Sequence, residues 1–213
     1  MLGCVTSIAT RDPKCEKLEW YNKENTMPKT NRNGQALTLS PEQMDAIMRH
    51  LTPISRAVLS VCRYTACRVS ESLSLRWENI TNTDVVIPRA ITKKKTKTRT
   101  IPMNPKLWDE LETWRKLRPQ ADRCDYLFPG RLDRSKHLAS QTVDMALRQA
   151  CLKLGIQGAS THSFRRTALT SASQKGIALR SLQVLSGHSS LEMLQRYIDV
   201  TDAQRRAAAL AFD

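Results

Sequence analysis

The sequence predicts a mainly α-helical protein with one small antiparallel β-hairpin, that is, an α+β fold. Helical periodicity recurs from about residue 39 to the end of the chain, and several of these segments begin with residues that commonly cap helices. The period changes once, after Thr83, where two short β-branched runs flank a basic segment. With 213 residues, 40% of them apolar, the chain can bury one sizeable core.

The N-terminal segment differs from the rest of the chain. Residues 1–36 are mostly polar, and the stretch 22–34 is rich in turn residues and has no apolar period. We interpret 1–36 as an irregular arm or linker remnant and 37–213 as one folded domain. The apolar start lacks a basic leading segment, so we expect no signal peptide, and no apolar run reaches the length of a membrane span.

Two helices open the folded domain. Ser40, Pro41 and Gln43 predict the start of the first helix, as its N-cap, its first residue and the partner in a capping box. The second helix is expected to begin near Ser55. The predicted buried faces are Met44, Ile47, Met48 and Leu51 in the first helix and Val58, Leu59, Val61 and Cys62 in the second.

Arg68 lies at the junction between the second helix and a short third helix. We expect Ser70 to cap that short helix and Glu71 to hold the Arg68 guanidinium. An arginine at the positive end of a helix, steadied by a carboxylate, is well placed to bind a phosphate. A structural Arg–Glu pair is an equally good interpretation of these residues taken alone.

The predicted hairpin has a strongly basic tip. Its strands contain residues 85–87 and 100–101, and the segment between them is rich in lysine. Side chains alternate along an extended chain, so Lys93 and Lys95 face one way and Lys94 the other. One of these lysines could reach a site as a proton donor, whereas the others are interpreted as solvated charges.

Further helices are predicted from Asn104-Pro105, at 141–154, from Thr161, at 179–185, at 191–200 and at 202–210. In the helix with Thr161 as its expected cap, His162 and Arg165 are three residues apart and share one face. A proton-transfer group beside an arginine at a helix N terminus forms a suitable anion site. Taken singly, His162 would more often be a structural histidine.

The segment Leu185–Tyr197 is predicted to be a helix end, a break at Gly187, an exposed His188 and a new helix. Ser189 or Ser190 can cap the new helix. Tyr197, near its end, is a candidate nucleophile, although a lone tyrosine is more often half-buried with a hydrated hydroxyl.

Composition limits the class of partner. The net charge is +14, with lysine and arginine spread along the chain, which favours a polyanionic partner such as nucleic acid. Aromatic residues make up only 5%, which argues against a reader of single strands by base stacking. The cysteines are scattered without a Cys-x-x-Cys pair or zinc spacing, so we expect reduced thiols and no metal site.

Four motifs taken together resemble the catalytic domain of the tyrosine recombinase (phage-integrase) family. They are Thr-Ala-Cys-Arg68-Val-Ser-Glu71, the basic hairpin before Ile101-Pro102, His162-Ser-Phe-Arg165-Arg-Thr, and Leu-Ser-Gly-His188 followed by Tyr197. They occur in the family order over about residues 37–210. The sequence departs from the common pattern at Ala66, where the family often has glycine, and at Ser163-Phe164, where it often has Asp-Leu.

The resemblance implies a tyrosine recombinase catalytic-domain fold and a role for each matched residue. Arg68 and Arg165 would bind the non-bridging oxygens of the scissile phosphate, and Glu71 would orient the region of the first arginine. Tyr197 would attack the phosphorus, forming a 3′-phosphotyrosyl link and releasing a 5′-hydroxyl group.

The resemblance also implies the proton-transfer groups. The hairpin lysine would protonate the leaving oxygen. Counting back from Ile101-Pro102, Lys94 fits this position best, although the glycine that often follows the family lysine is missing here. His162 would assist proton transfer with Tyr197, and His188 would hydrogen-bond the phosphate. Candidates for contacts with the DNA backbone are Lys93, Lys95, Lys97, Arg99 and Arg166, of which the lysines remain alternatives to Lys94 as the proton donor.

The implied activity is site-specific DNA recombination or integration without metal, ATP or another cofactor, in the bacterial or phage-host cytoplasm at the nucleoid. The implied partners are double-stranded DNA and an accessory DNA-bending protein. The resemblance also implies that four copies of the chain assemble on DNA and that the protein without DNA is a monomer. Family members usually carry an N-terminal core-binding domain, for which residues 1–36 are too short. Two alternatives remain: a catalytically silent DNA-binding regulator and a type IB topoisomerase-like enzyme.

Overall fold

A computed structural model describes residues 36–92, 97–118, 124–198, 200 and 202–211. The elements of this part of the chain follow in order. They are α1 (Pro41–His50), α2 (Pro53–Thr65), α3 (Val69–Leu73), β1 (Asp84–Ile87), β2 (Arg99–Pro102), α4 (Pro105–Leu117), α5 (Ser140–Lys153), α6 (Thr161–Gln174), α7 (Leu179–Ser186), α8 (Leu191–Gln195) and α9 (Asp202–Leu210). The predicted α+β class is therefore confirmed.

The first helix begins as its sequence predicts. The Gln43 N–H donates to the Ser40 hydroxyl at 3.2 Å, and the Ser40 N–H donates to the Gln43 side-chain oxygen at 3.0 Å. This capping box satisfies two backbone donors that a helix start otherwise leaves unpaired. The expected apolar face of α1 is buried.

Helix α2 is the centre of the fold. It packs against α3, α4, α5 and α6, and its side chains are buried around most of its circumference. The helix ends at Ala66, which adopts the left-handed conformation with φ 51°. The chain can therefore turn sharply into Arg68 and α3, through a conformation that glycine adopts most easily.

The two strands pair antiparallel, with Val85 opposite Ile101 and Ile87 opposite Arg99. These four side chains are buried, and the residues between them are less buried. One face of the hairpin therefore lies on the protein, and this alternation brings Arg99 to the inner face together with the apolar residues.

Two groups of buried apolar side chains hold the helices together. The larger one is centred on α2 and includes Phe128 and Phe164. The smaller one consists of Ala66, Leu169, Leu182 and Leu194, and the ring of Tyr197 packs against it. The second group joins the end of α2 to α6, α7 and α8, so it seats the segment that carries Tyr197.

Several helix boundaries differ from the sequence predictions. Helix α3 begins after Arg68, so Ser70 lies inside its first turn and is not the cap. Helix α6 has Ser160 as N-cap, and Thr161 is its first residue. Helix α8 ends at Gln195, which leaves Tyr197 in the turn that follows.

Some predictions fall outside the described residues. These include the arm at 1–35 and the lysines at 93–95. Among the helices that the structure does describe, none is long and apolar enough to cross a membrane.

Candidate active site

Arg68 and Glu71 meet at the start of α3. The Glu71 carboxylate, 1% exposed, accepts the backbone N–H of Arg68 at 2.9 Å and its guanidinium Nη1–H at 3.1 Å. Burial raises the pKa of Glu71, but the backbone N–H of Arg68, the Arg99 guanidinium and the charge of Arg68 together outweigh it and hold this pKa below its usual value. The Arg68 side chain keeps about a quarter of its surface exposed, at 26%, and lines a cleft.

Arg99 extends the same network from β2. Its Nη2 donates to Glu71 at 2.7 Å, and its Nη1 donates to the carbonyl of Leu185 at 3.0 Å. The flat guanidinium lies against the backbone of Gly187, where an added Cβ would come within 2.9 Å of three Arg99 atoms. Glu71 therefore bridges two arginines, and Arg99 ties the hairpin to the end of α7.

Arg165, on the first turns of α6, is a buried cation, as deeply enclosed as the Glu71 carboxylate. Only 1% of its surface is exposed, and its Nη2 donates to the carbonyl of Ser186 at 3.0 Å. Its Nε and Nη1 atoms are buried without a hydrogen-bond partner among the described residues. Burial and the nearby Arg68 lower the pKa of Arg165 to about 10, so it remains a cation at neutral pH.

His188 follows the left-handed Gly187 that ends α7. The sequence prediction that it is exposed is wrong, since only 5% of its surface is accessible. Its Nδ1 lies 2.7 Å from the Ser186 hydroxyl, and its carbonyl accepts a bond from Gln183 at 3.2 Å. Burial, followed by Arg165, Arg68 and Arg99, lowers the pKa of His188 to about 3, so the ring is neutral at physiological pH.

Tyr197 is half-buried in the turn after α8. Its ring centroid lies 4.9 Å from that of His188 and 5.6 Å from the Cζ atom of Arg165. Its backbone is anchored because Thr170 of α6 donates a hydrogen bond to the Tyr197 carbonyl at 2.9 Å. The tyrosine is therefore held next to the arginine and histidine predicted from the distant motifs.

His162 opens onto the same cleft from the first turn of α6. Partial desolvation, with smaller effects of Arg165 and Arg68, lowers the pKa of this otherwise exposed ring. It is therefore predominantly neutral at pH 7 and can accept a proton.

The cleft has a volume of about 700 Å³ and is lined by Arg68, His162, His188 and Tyr197, among others. Three arginines face one carboxylate here, so the site carries excess positive charge in a partly dehydrated setting. Such a setting strengthens the attraction for an anion. The Nε and Nη1 atoms of Arg165, buried beside the cleft, have no hydrogen-bond partner among the described residues. A phosphodiester has the charge and oxygen geometry that this arrangement suits.

The remaining candidate residues are placed differently. Lys97 is exposed and lines the cleft. Arg99 and Arg166, expected on the DNA backbone, are both buried, and Arg166 donates to the Thr38 hydroxyl at 3.1 Å. Neither is presented on an open surface. Lys93, Lys94 and Lys95 lie outside the described residues.

Sequence reasoning missed the structural role of Arg99 and the participation of Ser186. For Arg99 a signal was available: it is two residues before Ile101, so a strand that buries Ile101 also turns Arg99 inward. For Ser186 no comparable signal existed, because its contact with His188 depends on how the chain turns at Gly187. Within the described ranges, no cluster of three or more His, Cys, Asp or Glu residues could hold a metal ion.

Comparison with known proteins agrees with the geometry. A sequence model described as the phage integrase family matches residues 38–204. A putative integrase/recombinase, y4eF of Sinorhizobium fredii, is 29% identical over 171 residues, which are 77% of this chain and 64% of that protein. This chain spans about half to two thirds of the length of the curated relatives it matches.

Two solved structures show the same fold. The Tn1549 transposon integrase, in complex with a circular intermediate DNA, has a TM-score of 0.70 at 16% identity, covering 86% of this chain and 68% of that one. The catalytic domain of bacteriophage HP1 integrase has a TM-score of 0.59 at 19% identity, covering 84% of this chain and 96% of that one.

Proposed function

Because this chain belongs to the phage integrase family, we propose that it cuts and rejoins DNA strands through a covalent link between Tyr197 and a 3′-phosphate. The observation that carries the proposal is the state of Arg165. A buried cation with two nitrogen atoms that lack a hydrogen-bond partner is costly unless a ligand pairs with it. The scissile phosphate, gripped from the other side by Arg68, is the ligand that fits.

The reaction exchanges one phosphodiester for another. The Tyr197 oxygen forms a bond to phosphorus, the bond from phosphorus to the 5′-oxygen breaks, and the negative charge stays on the non-bridging oxygens. Arg68 and Arg165 stabilise the charge that develops on those oxygens, as donors fixed before the reaction begins. The energy of the broken bond is kept in the phosphotyrosyl link, so rejoining requires no ATP.

Two protons move during cleavage. The Tyr197 phenol loses its proton, and neutral His162 in the same cleft is the acceptor that we assign to it. The 5′-oxygen gains a proton from a lysine of the hairpin. Lys94 remains the predicted donor, and Lys93, Lys95 and Lys97 remain alternatives, of which Lys97 lines the cleft. The arginines supply the charge stabilisation, and the proposal includes no metal or other cofactor.

Double-stranded DNA is the proposed partner, in keeping with the net charge of +14. The Tn1549 integrase of the same fold was solved with DNA. We propose that residues 37–213 act as the catalytic domain, as a tetramer on two DNA sites and with an accessory DNA-bending protein supporting the assembly. The domain assignment, the tetramer and the accessory protein all follow from the family resemblance.

Covalent trapping tests the proposal. Nicked suicide duplexes lose a short 5′-hydroxyl fragment on cleavage, so the covalent intermediate cannot be rejoined. We would incubate the 213-residue chain with a random-sequence library of such duplexes and recover complexes that resist SDS. The expected result is an adduct with wild type and none with Tyr197→Phe, and sequencing the recovered DNA would identify the target site.

Two other outcomes would replace the proposal. Salt-sensitive DNA binding without any adduct would indicate a DNA-binding regulator. Site-independent relaxation of supercoiled plasmid would indicate a topoisomerase. An adduct that persists in Tyr197→Phe but disappears in another tyrosine variant would move the nucleophile away from Tyr197.

A further inference from the structure

Arg99 attaches the hairpin to the rest of the site. Among residues 97–100 it alone is buried, with 7% of its surface exposed. Its two terminal nitrogens donate to different elements, Nη2 to Glu71 of α3 at 2.7 Å and Nη1 to the carbonyl of Leu185 in α7 at 3.0 Å. Helix α7 also packs against β2. A single guanidinium therefore fixes β2 relative to two helices beside the cleft.

A lysine close to this attachment opens onto the cleft. Lys97 is exposed, lines the cleft and precedes Arg99 by two residues. Two residues of chain span at most about 7 Å, so the bonds of Arg99 restrain the backbone that carries Lys97. The guanidinium itself has little room to shift, because an added Cβ at Gly187 would lie within 2.9 Å of it.

Proton transfer depends on where the backbone of the lysine is held. A lysine ammonium is a point charge on a flexible four-carbon stem, so the stem cannot fix its own position. The ammonium must come within hydrogen-bond distance of the oxygen that it protonates. A misplacement of about 1 Å can cost about 100-fold in rate. A rigid attachment of the strand that follows the lysine would supply this precision.

We propose that Arg99 is a positioning residue for the proton donor: its bonds to Glu71 and Leu185 place the hairpin lysine at the leaving 5′-oxygen. The lysine ammonium gives its proton to that oxygen as the bond from phosphorus breaks, and Arg99 itself exchanges no proton. Both candidate donors, Lys94 and Lys97, come shortly before β2 in the sequence. The inference rests on the proposed function and assigns a residue to its leaving-group step.

A sulfur-substituted duplex tests this step by itself. Sulfur replaces the scissile 5′-oxygen, and because a thiol is a much stronger acid than an alcohol, the thiolate leaves without receiving a proton. Arg99→Lys keeps a positive charge beside Glu71 but lacks the planar fork that bonds two acceptors at once. In single turnovers we expect it to cleave the oxygen duplex about 30-fold more slowly than wild type, and the sulfur duplex within about threefold of wild type.

Matched variants separate this effect from others. Arg148→Lys makes the same change in an exposed pair with Asp144 and is expected to cleave both duplexes at the wild-type rate. Lys94→Met and Lys97→Met identify the donor, because only the variant that lacks it should recover its rate on the sulfur duplex. Adding Arg99→Lys to that variant should slow cleavage of the oxygen duplex no further, since the residue through which Arg99 acts is already missing.

Two results would overturn the inference. Equal slowing of both duplexes by Arg99→Lys would place its effect on the phosphate clamp or on the fold, and wild-type rates on both would leave it without a role in cleavage. If urea unfolding shows Arg99→Lys to be unfolded, Arg99→Gln, which keeps an N–H donor for Glu71, is assayed with the same expectation. A wild-type protein that cleaves neither duplex would instead contradict the proposed function.

Discussion

Glu71 shows how much depends on a single buried side chain. Its carboxylate receives hydrogen bonds from Arg68 and from Arg99, which come from different elements. It therefore neutralises part of the positive charge of the site and fixes the direction of both guanidiniums. A phosphate clamp needs arginines that are already oriented before the substrate arrives.

We expect Glu71→Gln to lower the free energy of unfolding by about 3 kcal/mol, because two guanidiniums lose their anionic partner in a buried place. The control is Glu192→Gln, which removes an exposed pair with Arg196 and is expected to cost below about 0.5 kcal/mol. Urea unfolding measures both values. Equal losses in the two variants would contradict the central role of Glu71.

His188 predicts a pH dependence of stability. Its pKa is about 3 in the folded protein and near 6.5 when unfolded, so below pH 6.5 the unfolded chain binds a proton that the folded one does not. The stability contributed by the neutral ring is complete above pH 6.5 and is lost as the pH falls from 6.5 towards 3.

We expect wild type to lose about 2 kcal/mol more than His188→Asn between pH 7 and pH 5, at a slope of about 1.4 kcal/mol per pH unit well below pH 6.5. Urea titrations at both pH values give this difference. The charged groups that face the ring are Arg165, Arg68, Arg99 and Glu71. Parallel pH curves for the two proteins would show that the ring is not kept neutral.

At the scale of elements, the junction after α7 positions the site. Gly187 takes a left-handed conformation with φ 71°, and its missing side chain leaves room for the Arg99 guanidinium. The guanidinium cannot move aside easily, because it is bonded to Glu71 and to the Leu185 carbonyl. Glycine is therefore needed here for both its backbone freedom and its size.

Gly187→Ala is expected to cost about 3 kcal/mol or more and to slow cleavage, whereas Gly176→Ala should cost about 1 kcal/mol. Gly176 has the same type of conformation, with φ 79°, but nothing lies within 4 Å of an added Cβ. The difference between the two variants therefore isolates the contact with Arg99. Unfolding in urea and trapping of the DNA adduct measure the two effects, and equal costs would refute the contact.

The elements were largely predictable because they depend on local signals. Ser40 and Gln43 form the expected capping box, and the two β-branched runs located both strands. The start of α3 was misplaced because the cap of that helix is supplied by Glu71, a residue inside it, and not by a typical N-cap side chain. Helix α8 proved shorter than its apolar period because the chain turns to seat Tyr197 beside Leu169 and Leu194.

The site itself was predictable as a set of residues but not as a network. Arg68, His162, Arg165, His188 and Tyr197 do line or adjoin one cleft, and ordered motifs were sufficient to select them. The burial of Arg99 and His188 and the contact made by Ser186 arise from tertiary packing at one turn. Contacts of this kind have no period or spacing in the sequence from which they could be predicted.

At the scale of the whole molecule, the free protein carries unpaired hydrogen-bonding capacity at Arg165. Each buried unpaired group costs on the order of 1–3 kcal/mol, so a bound anion should recover part of this free energy. Because the region around Arg165 reduces the stability of the free protein, the apolar core must provide its net stability.

Inorganic phosphate should raise the melting temperature of wild type by about 3–6 °C at ten times its dissociation constant, because binding then contributes about 1.4 kcal/mol. Arg165→Gln should lose this increment, and Arg196→Gln, which alters an exposed arginine, should keep it. Thermal unfolding in phosphate and in chloride at equal ionic strength separates specific binding from general salt effects. The same increment in all three proteins would mean that the anion binds elsewhere.

The attachment of the segment around Tyr197 has a mechanical consequence. Thr170 holds the Tyr197 carbonyl, and three residues further along the same helix the carbonyl of Ser173 accepts a bond from Gln204 of α9 at 3.1 Å. Both fastenings are on α6, which also carries Arg165 and His162. A small rotation of α6 would therefore move Arg165, His162 and the attached backbone of Tyr197 together. The relative positions of these three residues would therefore be kept when α6 shifts against the other helices of the domain.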